Sequence, residues 1–255
     1  FYKLLKIVLM KKQSVLIEVC ANGLESALAA HAGGAQRLEL CCALELGGLT
    51  PSPATIQLVR QQVQLPLFVL IRPRAGDFCY RAQEWAAIEA DIHWCKERGV
   101  DGIVCGALLP DGQLDVRQTR RLIEWSHPLP FTFHRAFDCL PDPFKGLEQL
   151  IDLGAHRVLT SGQASSATAG KKCLQELVEK AADQIVIMGG AGIQPGNVRA
   201  LIEQTGLTEI HLSAKKKQLP KSSVEQQVRF NQSDEEGAYW LTDEELVRQV
   251  RTALD

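Results

Sequence analysis

The chain of 255 residues carries 28 Lys and Arg against 30 Asp and Glu, a formal net charge of −2. That near balance argues against a nucleic-acid surface or a membrane-surface role, and no apolar run reaches the roughly 18 residues of a spanning helix. With 45% hydrophobic residues, the chain has an ordinary globular composition and length enough for a large core, in one barrel-type domain or two smaller ones.

The N-terminal stretch FYKLLKIVLMKK sets a basic residue before a short apolar run, but it lacks a small-residue cleavage site and is short for a secretory signal. Met10, followed by two lysines, reads as a natural start. Residues 1–9 are then an upstream extension, and 1–14 lie outside the fold. Apolar runs rich in Val, Ile, Leu and Phe follow at about 15–20, 37–41, 67–72, 100–105, 130–135, 156–161, 184–189 and 208–213. They are near-continuous rather than alternating, the pattern of strands covered on both faces. Amphipathic stretches separate them; over 81–98, Trp85, Ile88, Ile92 and Cys95 share one helical face. Asn22 with Glu25 forms a candidate capping box. Ser52-Pro53 and Asp142-Pro143 read as an N-cap followed by a first-turn proline, and Thr242 with Glu245 opens the last helix as the first box does. Gly34, Gly99, Gly154 and Gly206 suit helix ends. The longest irregular stretch, about 214–241, follows the eighth strand and is a candidate lid.

Strands alternating with helices imply parallel pairing through right-handed crossovers. Eight such units point to a single-domain TIM (β/α)8 barrel over 15–255. A doubly wound open sheet would need fewer strands or a second domain, and no linker divides the chain.

In such barrels chemistry gathers where the strands end. The first two runs close on Glu18-x-Cys20 and Glu39-x-Cys41. Side chains two apart on a strand share a face, so each pair offers a carboxylate and a thiol in one direction. On adjacent strands, about 4.8 Å apart, the two sulfurs can share one ion. Two thiolates suit Cu(I), whereas zinc favours four ligands, which His134 and His211 could complete. The competing reading is packing, since cysteine is among the most often buried residues. It applies foremost to Cys42, Cys79, Cys105 and Cys139 at strand ends, and to Cys95 and Cys173 in helices. The eight cysteines form no CxxC pair, and a chain of this length needs no disulfide framework; reduced thiols of a cytoplasmic protein are expected.

A second reading concerns anions. Gly190 and Gly192 after strand seven, with Ser213 after strand eight, are placed like the phosphate site of many barrels. Arg72, Arg74 and Arg135 supply positive charge and forked donors, with Asp77, Ser161 and His211 nearby at strand ends. Glu18, Glu39, His134 and Asp138 are the candidates for proton transfer. Against this, the glycines can simply make turns, and Glu18 and Glu39 are expected to pair with Arg72 and Arg135. The two functional readings are a Cu(I)-binding protein and a TIM-barrel enzyme of unassigned reaction acting on a small anionic or phosphorylated metabolite.

The strand-end segments together resemble the CutC copper homeostasis family. The matching pieces are IEVC at 17–20, RLELC at 37–41, GGLTPS at 47–52, IRPRAGDFCY at 71–80, VDGIVCGALLPDG at 100–112, TFHRAFD at 132–138, HRVLTSG at 156–162, GGAGI at 189–193 and EIHLSA at 209–214. The resemblance implies a cytoplasmic TIM barrel tied to copper tolerance. It makes the thiols of the first two motifs, Cys20 and Cys41, the candidate copper ligands and assigns Glu18 and Glu39 no task. A homo-oligomer is expected from the apolar surface that barrel helices often pair.

Overall fold

The computed structural model describes residues 15–219 and 238–255. The expectations for residues 1–14, and for most of the stretch after the eighth strand, fall outside the described residues. Eight parallel strands close into a barrel, the first pairing with the eighth. They are β1 Leu16–Ala21, β2 Arg37–Leu40, β3 Leu67–Leu70, β4 Gly102–Cys105, β5 Phe131–Phe133, β6 Arg157–Thr160, β7 Val186–Gly190 and β8 Glu209–Leu212. The intervening helices are α1 Leu24–Ala32, α2 Pro53–Gln62, α3 Ala82–Glu97, α4 Val116–Ser126, α5 Pro143–Asp152, α6 Lys171–Ala181 and α7 Val198–Thr205, and α8 Glu244–Leu254 closes the ring. Every residue of β2, β3 and β4 is buried, because one face meets the barrel interior and the other the helices. On α3, Ile88, Ile92 and Cys95 are buried and Trp85 packs partly against the core.

The helix starts follow local chemistry where no distant group competes. Ser52 Oγ accepts from Thr55 N–H, with Pro53 in the first turn. Asp142 accepts from the Phe144 and Lys145 N–H groups. Gly34, Gly99, Gly154 and Gly206 all adopt positive φ, the conformation that ends a helix and that glycine reaches without a Cβ penalty.

Two expected caps are corrected. Asn22 and Glu25 do not form a capping box; Gly23 holds the N-cap position with no side-chain cap. The Asn22 carbonyl oxygen instead accepts from Ser26 Oγ at 2.6 Å, and its amide donates to Trp240 O at 2.8 Å. The last helix is capped by Asp243, which accepts from Leu246 N–H, rather than by Thr242. Thr242 ends a strand, and its N–H donates to Ser26 Oγ at 3.0 Å.

That strand corrects a further expectation. The stretch after β8 is not wholly irregular: β9 Lys215–Gln218 and β10 Tyr239–Thr242 pair antiparallel. The Asn22–Ser26–Thr242 hydrogen bonds fasten this ribbon to the start of α1, so Trp240 reaches the mouth of the barrel.

Candidate metal and ligand site

The barrel floor is charged. TIM-barrel interiors are ordinarily filled with branched apolar side chains, yet here Glu18, Arg37, Arg157 and Glu209 are all buried. Arg37 donates from Nε to Glu18 and from a terminal nitrogen to Glu209. Arg157 clasps Glu209 through two bonds of 2.6 and 3.0 Å. The Phe68 ring lies under both guanidinium groups, 4.9 and 5.5 Å from their carbons. Glu18 and Arg37 face each other because β1 and β2 are paired in that register. The expected pairing of Glu18 and Glu39 with Arg72 and Arg135 is therefore corrected. Arg37 stands directly opposite Glu18, while Arg135 turns away to Asp138 at 2.7 Å.

Above the floor the two Glu-x-Cys pairs converge. Register places Cys20 opposite Glu39, and Cys20 Sγ lies 3.4 Å from both Glu39 Oε1 and Cys41 Sγ. Both thiols are buried, packed among Phe68, Leu70 and Val104. His211, on β8, completes the cluster. Its Nδ1 is 2.8 Å from Glu18 Oε1 and its Nε2 is 4.0 Å from Glu39 Oε1. One ligand atom from each of Cys20, Glu39 and His211 lies within 4.8 Å of the others.

Electrostatics separates these groups. Burial works against the Glu18 charge, but the hydrogen bond to His211 and the Arg37 charge outweigh it and hold the carboxyl at about 2. Glu39 goes the other way; burial, with the Glu18 charge beside it, pushes its carboxyl up. The Cys20 thiol is raised well above the ordinary range by its hydrogen bond to Cys41 and by burial. His211 loses some basicity to burial but gains more from Glu39 and Glu18, so its pKa is raised.

A cavity of about 660 Å³ opens above the cluster, within the range of small-ligand sites. Cys20, Glu39 and His211 form part of its wall, as do Arg72, His134, Arg135, Gly192, Ser213 and Trp240. Cys41 is fully buried beside Cys20 and, unlike Cys20, does not line the cavity. Arg72 spends its terminal nitrogens on the carbonyls of Leu46, Gly48 and Gly76. Arg74 lies away from the cavity, tied to Asp77 and Glu84 at 2.8 and 2.5 Å. Asp138 is saturated: it accepts from Thr160 Oγ1, Ser161 N and Oγ, Gln163 N and Arg135 Nε. That set of bonds fixes the loop after β6 and leaves the carboxylate no free lone pair toward substrate. Ser161 is fully buried in the same network. Gly190 sits at the end of β7, where an added Cβ would lie 2.6 Å from Leu159.

Of the remaining thiols, Cys42 donates to Thr50 O at 3.2 Å. Cys95 and Cys105 are buried, and burial pushes both up to about 12. Sequence reasoning did not include Arg37, Arg157, Glu209 or Trp240. The three charged residues each open a strand, and their trace in the sequence was a charge at the head of an apolar run, inside segments that resembled the family without marking these positions.

Fold and site together define a (β/α)8 protein with a thiol, carboxylate and imidazole cluster at the C-terminal mouth of its barrel. Residues 15–216 match the CutC family, and the chain belongs to it. A human relative named copper homeostasis protein cutC homolog is 48% identical over 200 residues, covering 78% of this chain and 73% of that protein. A family protein CutC from Pasteurella multocida is 43% identical over 240 residues, covering 94% and 98%. The crystal structure of CutC from Streptococcus agalactiae superposes with a TM-score of 0.75 at 32% identity, covering 78% of this chain and 98% of that one.

Proposed function

We propose that this protein binds Cu(I) through the thiolates of Cys20 and Cys41, as a copper homeostasis protein would. The observation that carries the reading is the 3.4 Å separation of the two sulfurs, one of which, that of Cys20, belongs to a residue lining an open cavity. Metal–sulfur bonds of about 2.3 Å let two sulfurs up to ~4.6 Å apart share one ion. The donor set suits a soft monovalent metal. Glu39 Oε2 is buried with no hydrogen-bond partner among the described residues, as expected of an oxygen beside a site meant to be filled. Glu18 occupies Nδ1 of His211 and turns Nε2 toward Glu39, 4.0 Å away, the arrangement in which a carboxylate orients a metal-binding histidine. The relatives' names, which speak of copper homeostasis, agree with this reading.

Protein purified under reducing, anaerobic conditions is expected to take up about one Cu(I) per chain, following one shared ion per thiol pair. The Cys20→Ser/Cys41→Ser variant should lose it. Unchanged stoichiometry in that variant refutes the thiols as ligands. Competition against a chelator of known affinity should show Cu(I) held more tightly than Zn(II).

A further inference from the structure

We infer that the same cavity carries a subsite for a small organic carboxylate, formed by Arg72 and His134, which both pack on Phe78. This site does not depend on the copper reading, because neither residue belongs to the thiol cluster.

The argument begins with a buried cation. Arg72 is 7% exposed, and among the described residues it has no ion pair. Its terminal nitrogens are taken by three backbone carbonyls, which satisfy hydrogen bonds but bring no charge. Its buried Nε–H has no acceptor among the described residues. A buried charge without a counter-ion is costly, and Arg72 lines a cavity large enough to admit one.

His134 supplies a second donor. It is 5% exposed and lines the same cavity. Its Nδ1 accepts the Ala136 N–H at 3.2 Å. In a neutral ring the proton must then sit on Nε2, and that Nε2–H is also buried without a partner among the described residues. Burial and the Arg72 charge hold the ring near 3, so it is neutral at physiological pH. Both groups pack on the Phe78 ring, which lies 5.1 Å from the Arg72 guanidinium carbon and 4.9 Å from the His134 ring, and the Arg72 charge is felt at the His134 ring.

One positive charge and two N–H groups match one carboxylate, with its single charge and two oxygens. A phosphate dianion would leave charge and oxygen unanswered. Leu44, Leu70, Leu159 and Ile193 offer apolar wall for the body of such an acid.

The test uses the full chain, metal-free, with ¹⁵N-labelled histidine. Acetate, lactate and benzoate are titrated to tens of millimolar, with inorganic phosphate as the comparison. The expected result is that the His134 Nε2–H resonance shifts and saturates with the carboxylates, benzoate binding tightest. His134→Phe keeps the packing on Phe78 and should weaken benzoate about 10- to 100-fold, the loss of one hydrogen bond to a charged group. The inference is overturned if the resonance is unmoved by every carboxylate. It is overturned equally if phosphate binds there more tightly than any of them, or if His134→Phe binds benzoate as wild type does. Copper stoichiometry is read separately, so failure here leaves the thiol site standing, and the reverse.

Discussion

Replacing Glu18 with glutamine removes one charge from the barrel floor while keeping shape and an acceptor for Arg37. The folded carboxyl sits at about 2 against an ordinary 4.5. At 1.36 kcal/mol per pKa unit, that difference corresponds to about 3 kcal/mol. The sign follows from linkage: a depressed carboxyl stabilises the fold above its unfolded pKa, and the contribution is lost as pH falls toward the folded value. The window is therefore about 4.5 down to 2. Part of the effect comes from protonated His211, whose raised pKa makes that share fade as pH rises through it. Urea unfolding of wild type and Glu18→Gln across the acid and neutral range should show the gap widest between the two transitions. It should close steadily below 4.5, leaving a small pH-independent offset from the exchanged hydrogen bonds. The His211 pKa, followed by NMR, should drop in the variant. A gap that does not change with pH, or a His211 that titrates as before, would refute the coupling.

Gly102→Ala would place a Cβ 2.5 Å from the Phe68 ring, which lies against Arg37 and Arg157. Overpacking should cost about 1–3 kcal/mol in urea unfolding, and a neutral result would mean that Phe68 moves freely. Asp138→Asn removes the charge that gathers Arg135, Ser161 and Gln163. It is expected to destabilise by about 2 kcal/mol, with faster amide exchange at Ser161 and Gln163. Alkylation by iodoacetamide should label the exposed Cys139 first. Cys95 and Cys105, buried and raised to about 12, should label only on unfolding, because the thiolate is the nucleophile.

The barrel was legible because parallel strands, covered on both faces, leave uninterrupted apolar runs. The convergence of Cys20, Cys41 and Glu39 was legible for another reason. The two-residue period fixes which side chains share a face, and neighbouring strands bring two such faces together. Register was not legible, and it is register that puts Arg37 rather than Arg72 opposite Glu18. The clasp of Arg157 on Glu209 spans 52 residues, and no local pattern announces it. Asn22 misled in the same way: its spacing to Glu25 fits a capping box, but Ser26 and the distant Trp240 carbonyl offered it other partners. The family resemblance pointed to the thiols and gave Glu18 no task, whereas the geometry makes Glu18 the group that orients His211.

The charged floor has a further consequence. Glu18 and Glu209 bring two negative charges, Arg37 and Arg157 two positive ones, and the contacts among them leave none over. The bottom of the barrel thus carries no net charge of its own, and its members act on the cluster above one by one. Cu(I) replacing both thiol protons would leave its corner one unit more negative than before. Among the described residues, His211 is the cationic side chain within 4.0 Å of Glu39 in that corner, when protonated. Loading would then be sensed at the far end of the histidine ring, where Glu18 holds it, rather than absorbed by the floor beneath.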